Sequence, residues 1–488
     1  MLEAVLVTVL ISILLLYFTH RKKRLPGPWN LPLIGYIHKL DLAAPYLTLT
    51  KLSQKYGPVY GLKLGSMDVV VVANGKILKK ILARNETFER PSIYTLRTVF
   101  ADKGLVYTNN LTLWKDQRKF VKKFFKLWGA NKVASKKKTL ETLIKKRLDE
   151  FMQVITTQGD HFPLDPHEFV TRYVTNVSST LLLGKPFASD DKNLLILKAN
   201  LDKVVELAGP GGTPLNFLPC LRFLPKFNKC LISLQQAVGK VREIQNQLIT
   251  ECEKSITDTN ADSPSNLIEM FLLQMSKGPK DIYNLDQLHS LLFDLHSSAT
   301  TTVTTWLLWI LLHLAQYETV QNKVRRELLQ VVRGKTIEMD DFANLHYTKA
   351  TIAEVARIRT IGPLGFPHYT SEDICIDGFP IMKDTTIIPL LWAIHMDPKV
   401  WKNPEEFRPE RFLNDDGKFY KPETFLPFQT GKRICIGEEM ATMMTSMFVA
   451  TVVRNFKLGC VDSSPLDFTG VCGIMLNPKP QQILFTRL

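Results

Sequence analysis

The 488-residue sequence lacks several patterns that would place it in a class at once. It has seven cysteines but no C-x-x-C pair, which excludes a zinc ribbon and a dithiol redox motif. The odd number of cysteines also argues against a disulfide framework. We therefore expect a reducing compartment in which six of the seven thiols are buried and inert. The sequence contains no internal repeat.

Acidic residues are scarce relative to basic ones, and the formal net charge is +15 at pH 7. Such a charge attracts the phosphates of nucleic acid or lipid, or an acidic protein partner. The excess is local, because residues 115–147 hold thirteen Lys and Arg against only Asp116 and Glu141, and residues 21–24 are all basic. Two separate patches favour a membrane surface and an acidic protein partner, so we expect no nucleic-acid partner.

One uncharged apolar run, Ala4–Thr19, lies at the N-terminus and is followed directly by basic residues. Residues 1–19 would form about 28 Å of helix, enough to span a thin bilayer. Because the basic residues follow the run and no small-residue cleavage site is present, we predict an uncleaved transmembrane signal-anchor over residues 1–20. The positive-inside rule then places the rest of the chain in the cytosol.

The remainder of the chain divides into two parts. Residues 21–36 combine the basic cluster with three prolines between Leu25 and Pro32, a composition that predicts a semi-rigid hinge. Residues 37–488 have a globular composition and are long enough for one large enzyme domain or for two or three smaller ones.

Hydrophobic periodicity in this domain is mainly helical. Short strand-like runs occur at Val59–Leu64, Val69–Val72, Ile374–Ile376 and Gln482–Thr486. The sequence therefore predicts a mainly α fold with small β-sheets, an α+β class. The longest predicted helix is Asp286–Leu314, whose apolar turns are interrupted by the polar stretch His296–Thr302. A polar window in a buried helix indicates a face toward a ligand or water.

A single cysteine, Cys435, stands between Gly431 and Gly437 directly before a helical pattern that begins at Glu438. Flanking glycines let backbone N–H groups approach the sulfur, and a helix N-terminus favours the thiolate. This arrangement predicts a thiolate metal ligand at Cys435.

The segment resembles the haem-binding signature Phe-x-x-Gly-x-Arg-x-Cys-x-Gly of the cytochrome P450 family. The fixed positions of that signature are occupied by Phe428, Gly431, Arg433, Cys435 and Gly437. The resemblance implies the cytochrome P450 fold, with residues 37–488 as one large haem-binding catalytic domain behind the N-terminal anchor. It also implies haem b, iron protoporphyrin IX, with the Cys435 thiolate as axial ligand and only protein ligand of the metal.

Two further motifs occur in the order that the family shows. Glu354-Val-Ala-Arg357 resembles its Glu-x-x-Arg, and Pro409-Glu-Arg411-Phe412 resembles its downstream Pro-Glu-Arg-Phe. By this resemblance Glu354, Arg357 and Arg411 form a structural triad that supports the haem loop.

The resemblance also implies partners for the haem propionates. Trp114-Lys-Asp-Gln-Arg118 is similar to the family's Trp-x-x-x-Arg, and His368 matches the propionate-contacting histidine of animal microsomal members. With Arg433 these residues would pair with the two carboxylates. The anchor and hinge are similar to those of endoplasmic-reticulum members, so we expect a single-pass protein of that membrane.

The chain departs from the family's pattern in the distal helix. The family has Ala/Gly-Gly-x-Asp/Glu-Thr-Thr, whereas this chain has Ser298-Ala299-Thr300-Thr301-Thr302-Val303. Thr302 matches the threonine beside bound oxygen, Thr301 replaces the acid, and Ala299 replaces the glycine. Asp294 or His296 could substitute for the acid in proton delivery. A solvated aspartate and a packing histidine are the alternatives.

We predict a monooxygenase that resembles animal steroid and drug hydroxylases and takes NADPH electrons from a reductase docked on residues 115–147, with cytochrome b5 as a further donor. The missing acid keeps open an oxygen-independent haem-thiolate isomerase or dehydratase. A basic membrane-tethered binding protein without haem is the alternative from another class. By resemblance, a lipophilic substrate would contact residues 92–106, 207–218, 293–302, 364–366 and 473–475, with Phe100, Phe217, Phe293, Phe366 and Met475 prominent.

Overall fold

The computed structural model describes residues 25–100, 102–129, 137–188, 191–209, 213–255, 264–461 and 464–488. The predicted anchor, residues 1–20, and the basic start of the hinge lie outside these ranges. The described chain is mainly helical with small sheets, which confirms the predicted fold class.

The helices are α1 (Pro45–Tyr56), α2 (Gly75–Ala83), α3 (Tyr94–Phe100), α4 (Leu111–Leu127), α5 (Lys137–Thr156), α6 (His167–Leu183), α7 (Lys192–Ala208), α8 (Pro225–Ser255), α9 (Leu267–Lys277), α10 (Leu285–Gln316), α11 (Glu318–Val332), α12 (His346–Ile358), α13 (Leu391–His395) and α14 (Glu438–Asn455). The strands are β1 (Val59–Leu64), β2 (Met67–Val72), β3 (His161–Leu164), β4 (His368–Tyr369), β5 (Ile374–Ile376), β6 (Phe379–Ile381), β7 (Thr386–Pro389), β8 (Phe456–Cys460), β9 (Val471–Cys472), β10 (Leu476–Asn477) and β11 (Ile483–Arg487).

Helix α10 is the core of the molecule and packs against α6, α14 and β8. Its first turn is capped by Asn284, whose Oδ1 accepts a hydrogen bond from the Gln287 amide at 3.0 Å. By length and composition α10 could cross a membrane, but 78% of its most apolar window is buried inside the protein. The predicted long buried helix is therefore confirmed, and Ser298 in its middle is exposed.

The larger sheet has the strand order β1-β2-β7-β4. Strands β1 and β2 are antiparallel, with Val59 opposite Val72, and β2 runs parallel to β7. A second sheet, β3-β11-β8, joins the C-terminus to the start of α6. All four predicted strands are present, although β2 begins two residues before the predicted Val69 and β11 is shifted by one residue.

The described part of the proline-rich hinge lies along β1. The Pro26 carbonyl accepts from the Gly61 amide at 2.9 Å, and the Tyr36 amide donates to the Lys63 carbonyl at 2.7 Å. A Cβ on Gly27 would lie 1.8 Å from the Gly61 carbonyl oxygen, so this position admits only glycine. The described part of the segment thus extends the edge of the larger sheet.

All seven cysteines are described, and each is a free thiol. The expectation that six of them are buried is wrong, because Cys220 and Cys375 are exposed and only Cys252 is fully buried. Cys220 lies in a short exposed 3-10 turn, and Cys375 points outward from the two-stranded β5-β6 hairpin. The general tendency of free cysteines to be buried therefore fails at both positions.

Candidate active site

The loop that carries Cys435 folds back on itself immediately before α14. The Cys435 amide donates to the Phe428 carbonyl at 3.2 Å, and the Ile434 amide donates to the Gly431 carbonyl at 3.2 Å. Gly431 has φ +83°, and a Cβ there would lie 2.3 Å from the Leu82 carbonyl oxygen at the end of α2. The loop therefore requires glycine at 431 to seat on α2.

Residue Cys435 is exposed to solvent, although protein atoms crowd around its sulfur. Burial of the thiol raises its pKa, while the backbone N–H groups of Gly437 and Glu438 and the charge of Arg118 favour the thiolate. The Glu438 carboxylate acts in the opposite direction. Two amides directed at one sulfur at the start of a helix suit an anionic ligand to a metal cation.

Arg433 lies buried beside this loop. Its Nε donates to the Phe88 carbonyl at 2.7 Å and its Nη1 to the Val106 carbonyl at 3.2 Å, and Nη2 donates to the Thr108 carbonyl. Burial, together with the neighbouring charge of Arg90, lowers the pKa of Arg433 to about 8. Such a cation needs a nearby anion.

Arg90 is a second buried arginine beside the Cys435 loop, and sequence reasoning missed it. Arg90, Arg118 and Arg433 are called the cation cluster below. Its Nη1 donates to the Pro367 carbonyl at 2.7 Å and its Nε to the Val106 carbonyl at 3.1 Å. Burial lowers the pKa of Arg90 to about 10. In the sequence, Glu89-Arg90-Pro91 looks like an ordinary charged turn, and only the packing of distant segments shows that Arg90 is buried.

Helix α4 contributes two more of the predicted propionate partners, Trp114 and Arg118. Trp114 is buried, and its ring lies 5.3 Å from the Arg118 guanidinium carbon and 5.5 Å from that of Arg433. Arg118 Nη2 donates to the Ile434 carbonyl at 2.8 Å. The guanidinium groups of residues 90, 118 and 433 thus converge around the Cys435 loop, a donor set that fits a group with two carboxylates.

His368 is buried in β4 and uses both ring nitrogens within the protein. Its Nδ1 is 2.7 Å from the Thr87 carbonyl oxygen, and its Nε2 is 2.9 Å from Nε2 of Gln429. Burial and the charge of Arg90 hold its pKa well below the ordinary value, so the ring is neutral. His368 is thus near the cation cluster but is hydrogen-bonded to Gln429, a residue that the sequence analysis did not single out.

The residues of the expected triad come together in the core. Arg357 forms two hydrogen bonds with the Glu354 carboxylate, at 2.7 and 2.8 Å, and Arg411 Nε lies 3.2 Å from Glu354 Oε1. Glu354 and Arg357 are fully buried. Arg357 also donates to the carbonyls of His395 and Pro404 at 2.9 and 2.8 Å. The triad ties α12 to the chain that leads into the Cys435 loop.

The polar window of α10 presents hydroxyl groups. Thr302 Oγ1 donates to the Ser298 carbonyl at 2.6 Å, and Thr301 Oγ1 donates to the Ser297 carbonyl at 2.7 Å. The window is adjacent to the Cys435 loop, because the ring of Trp306, one turn after Thr302, lies 5.9 Å from that of Phe428. Ala299 is partly exposed in the same window.

The structure does not bring Asp294 or His296 to Thr302. Asp294 lies about 12 Å before Thr302 along the helix axis, and its Oδ2 accepts from the amides of Leu105 and Val106 at 2.6 and 2.9 Å. His296 faces α6, where its Nε2 lies 3.0 Å from Ser179 Oγ. Helical periodicity cannot show this, because both contacts depend on which elements pack against α10.

An apolar cavity lies between the larger sheet, α1 and the segment before β4. It includes seven residues of the predicted substrate segments, which are Ile93, Asn216, Phe217, Leu364, Gly365, Phe366 and Ile474. It also includes Leu40, Pro45, Leu49, Leu64, Met67 and Ile388, which sequence reasoning missed. Phe293 and Met475 are buried in the core and do not line it, and the Phe100 side chain is outside the described residues. Tyr107 and Asn216 supply polar groups.

A helical fold around one long buried helix, with a cysteine loop and converging arginines beside it, defines a haem-thiolate class of enzyme. The family model for cytochrome P450 matches residues 25–485, and the chain belongs to the cytochrome P450 family. It is a cytochrome P450 enzyme, a monooxygenase, and family membership implies a haem-thiolate centre.

The chain is similar to several animal proteins over most of their length. It is 31% identical to cytochrome P450 2J5 of Mus musculus, covering 98% of this chain and 94% of the relative. It is also 31% identical to farnesoate epoxidase of Bombyx mori, over 98% and 97%. Identity to cytochrome P450 306a1 of Drosophila melanogaster is 28%, over 95% and 89%.

Proposed function

We propose that this protein inserts one oxygen atom from O2 into a lipophilic substrate, with electrons from NADPH delivered by a reductase. The observation that carries the proposal is Cys435 in its glycine-containing loop, with the amides of Gly437 and Glu438 directed at the sulfur. In this proposal the Cys435 thiolate holds the iron of haem b. The bound haem supplies the activation of dioxygen.

The cation cluster would bind the haem propionates. The guanidinium groups of Arg433, Arg118 and Arg90 are partly or fully buried around the loop, and Trp114 lies against two of them. Two carboxylates would offset the cost of burying these cations, since planar guanidinium groups pair well with carboxylates. The His368 ring is neutral and would not attract the propionates by charge. It would instead help to position the chain around Thr87 and Gln429, to which it is hydrogen-bonded.

Protons would reach the site through hydroxyl groups and water. Thr301 offers a hydroxyl where the family pattern has an acid, and the Thr302 hydroxyl is one residue further on. Asp294 is committed to the amides of Leu105 and Val106 and would serve to hold that loop. The proposed route therefore begins at Thr301 and Thr302 with bound water.

The substrate would be lipophilic with few polar groups. The cavity is lined almost entirely by apolar side chains, and Asn216 and Tyr107 supply polar atoms for orientation. A steroid, a fatty-acid-derived compound or a xenobiotic fits this description. The name of the Bombyx mori relative, farnesoate epoxidase, designates a substrate of this chemical kind.

The electron donor would dock on helix α4. The same helix that carries Trp114 and Arg118 has five exposed lysines along its length, Lys115, Lys119, Lys122, Lys123 and Lys126. An acidic flavoprotein reductase, NADPH-cytochrome P450 reductase, suits such a surface, and cytochrome b5 is a second acidic partner of the same kind. Residues 1–20 would anchor the protein in the endoplasmic-reticulum membrane with the catalytic domain in the cytosol.

The proposal is tested by optical spectroscopy and by cofactor consumption. We expect the reduced, CO-bound protein to show the red-shifted Soret band of thiolate ligation, and Cys435→Ser to lose it. With purified reductase and a substrate selected by binding difference spectra, NADPH and O2 should be consumed together with product formation. Turnover of a peroxide substrate without NADPH or O2 would instead show the oxygen-independent reaction.

A further inference from the structure

Gln429 holds an unfavourable backbone conformation in the loop that carries Cys435. Its φ is +63°, in the left-handed region that is unfavourable for a residue with a side chain. The residue directly follows Phe428, whose carbonyl accepts the Cys435 amide, and its own amide donates to the Leu426 carbonyl at 3.0 Å. Conformations of this kind persist where surrounding contacts enforce them, often at functional sites.

The contacts that enforce it come from the Gln429 side chain. Its Oε1 accepts from the Phe366 amide at 3.0 Å, and its Nε2 donates to the Phe366 carbonyl at 3.2 Å. The same Nε2 lies 2.9 Å from Nε2 of His368. Because His368 Nδ1 donates to the Thr87 carbonyl, its Nε2 is the acceptor for this third bond. One side chain therefore satisfies both backbone groups of Phe366 and one nitrogen of His368.

The segment that Gln429 holds is a wall of the substrate cavity. Residues 364–367 all line the cavity, and the Phe366 ring packs edge-on against Tyr107 at 6.3 Å between centroids. No regular strand pairing holds Phe366, since β4 begins only at His368. The Gln429 amide binds both backbone groups of Phe366 as a neighbouring strand would, and Arg90 Nη1 adds bonds to the carbonyls of Phe366 at 3.4 Å and Pro367 at 2.7 Å.

We propose that Gln429 is a positioning residue that sets substrate selectivity, because it fixes the cavity wall at residues 364–367 relative to the Cys435 loop. The inference rests on the proposed function, since it concerns ligands that lie beside a haem on Cys435. Loss of the Gln429 side-chain bonds lets this wall move and admits larger ligands. The Cys435 loop keeps its own backbone hydrogen bonds.

The test compares Gln429→Met with a matched control. Methionine retains the length of the side chain but makes none of the three bonds. Gln481 clamps Asp467 in the same way, with Oε1 accepting from its amide at 2.8 Å and Nε2 donating to its carbonyl at 2.9 Å, away from the cavity. Gln481→Met therefore removes an equivalent backbone clamp elsewhere.

Two measurements are made on both full-length variants. The first is the affinity of a series of 1-alkylimidazoles of increasing chain length, followed by the haem spectrum. We expect Gln429→Met to change the ratio of long-chain to short-chain affinity by about five- to tenfold, the effect of losing about one net hydrogen bond, and Gln481→Met to leave it unchanged. The second is amide hydrogen exchange, in which residues 362–368 should lose protection only in Gln429→Met.

Equal changes at every chain length, an identical shift in Gln481→Met, or unchanged exchange at residues 362–368 would each overturn the inference. The CO-bound Soret band reports separately on the proposed function. If the unsubstituted protein lacked that band, the proposed function would fail, while the exchange measurement would still decide whether Gln429 clamps Phe366.

Discussion

Asp294 shows how burial changes the role of a single residue. The carboxylate is enclosed by protein and bonded to the amides of Leu105 and Val106, and burial raises its pKa to about 7. Those amides and the charge of Arg433 oppose the rise. A Cβ on Gly104, which has φ +81°, would lie 2.4 Å from Asp294 Oδ2. The residue therefore fastens α10 to the loop whose carbonyls receive Arg433 and Arg90.

This pKa predicts a pH dependence of stability. Because the folded pKa is above the unfolded one, the contribution of Asp294 is fully present below about pH 4 and is lost as the pH rises through about 7. Asp294→Asn retains an acceptor oxygen but cannot ionise. We expect its apparent Tm, relative to the unsubstituted protein, to rise by about 1–3 °C between about pH 5.5 and 8.5. A Tm difference that stays constant across this range would contradict the raised pKa.

At the scale of elements, the Glu354 carboxylate connects α12 to the short helical turn Pro409–Phe412. It accepts from Arg357, from Arg411 and from the Arg408 amide at 3.0 Å. Trp401 lies 5.3 Å from the Arg357 guanidinium carbon and packs on Phe412. One buried anion thus joins two segments that are far apart in sequence and holds the chain that enters the Cys435 loop.

Glu354→Gln tests this connection. Glutamine keeps the shape but leaves the buried Arg357 without a counter-charge, so we expect a loss of about 3–5 kcal/mol and little haem-loaded protein. The yield of the CO-bound Soret band and the apparent Tm measure the effect. The control is Lys80→Ala, which breaks the exposed pair with Asp377 and should cost no more than about 1 kcal/mol. Similar losses in both variants would show that the buried ion pair is unimportant.

The elements that sequence predicts well are those defined by local pattern. The strands β1, β2, β5 and β11 and the helix α10 follow from hydrophobic periodicity, and Cys435 is marked by glycines on either side. The cavity contribution of α1, the burial of Arg90 and the clamp by Gln429 do not follow from it. Each depends on tertiary contacts between segments far apart in the chain, for which a local window contains no signal.

For the whole molecule, the main feature is the exposed positive charge on helix α4. The five exposed lysines of α4 lie on the outer face of a helix whose inner face carries the buried Trp114, Phe120 and Phe124. Of the other cations in residues 115–147, Lys132 and Lys136 lie outside the described ranges, whereas Lys145 and Arg147 are paired with Glu141 and Glu150. A surface of one sign beside the proposed haem site is suited to steering an acidic electron donor.

Charge reversal at Lys122, Lys123 and Lys126 to Glu tests this surface. We expect the KM for reductase in substrate turnover to rise at least about tenfold at low salt, and its salt dependence to weaken, because steering is screened by ions. The matched control reverses Lys240, Lys254 and Lys277, which are exposed on α8 and α9. If both triple variants had the same KM, docking on α4 would be disproved.

The contact between the proline-rich segment and β1 determines how many N-terminal residues can be removed without disturbing the catalytic domain. A version that begins at Leu25 keeps the bonds that Pro26, Asn30 and Tyr36 make to β1. A version that begins at residue 37 uncovers β1, the terminal strand in the order β1-β2-β7-β4. Because an uncovered strand edge can pair with other chains, the shorter version would be prone to aggregation. A truncated protein that stays soluble should therefore keep the proline-rich segment.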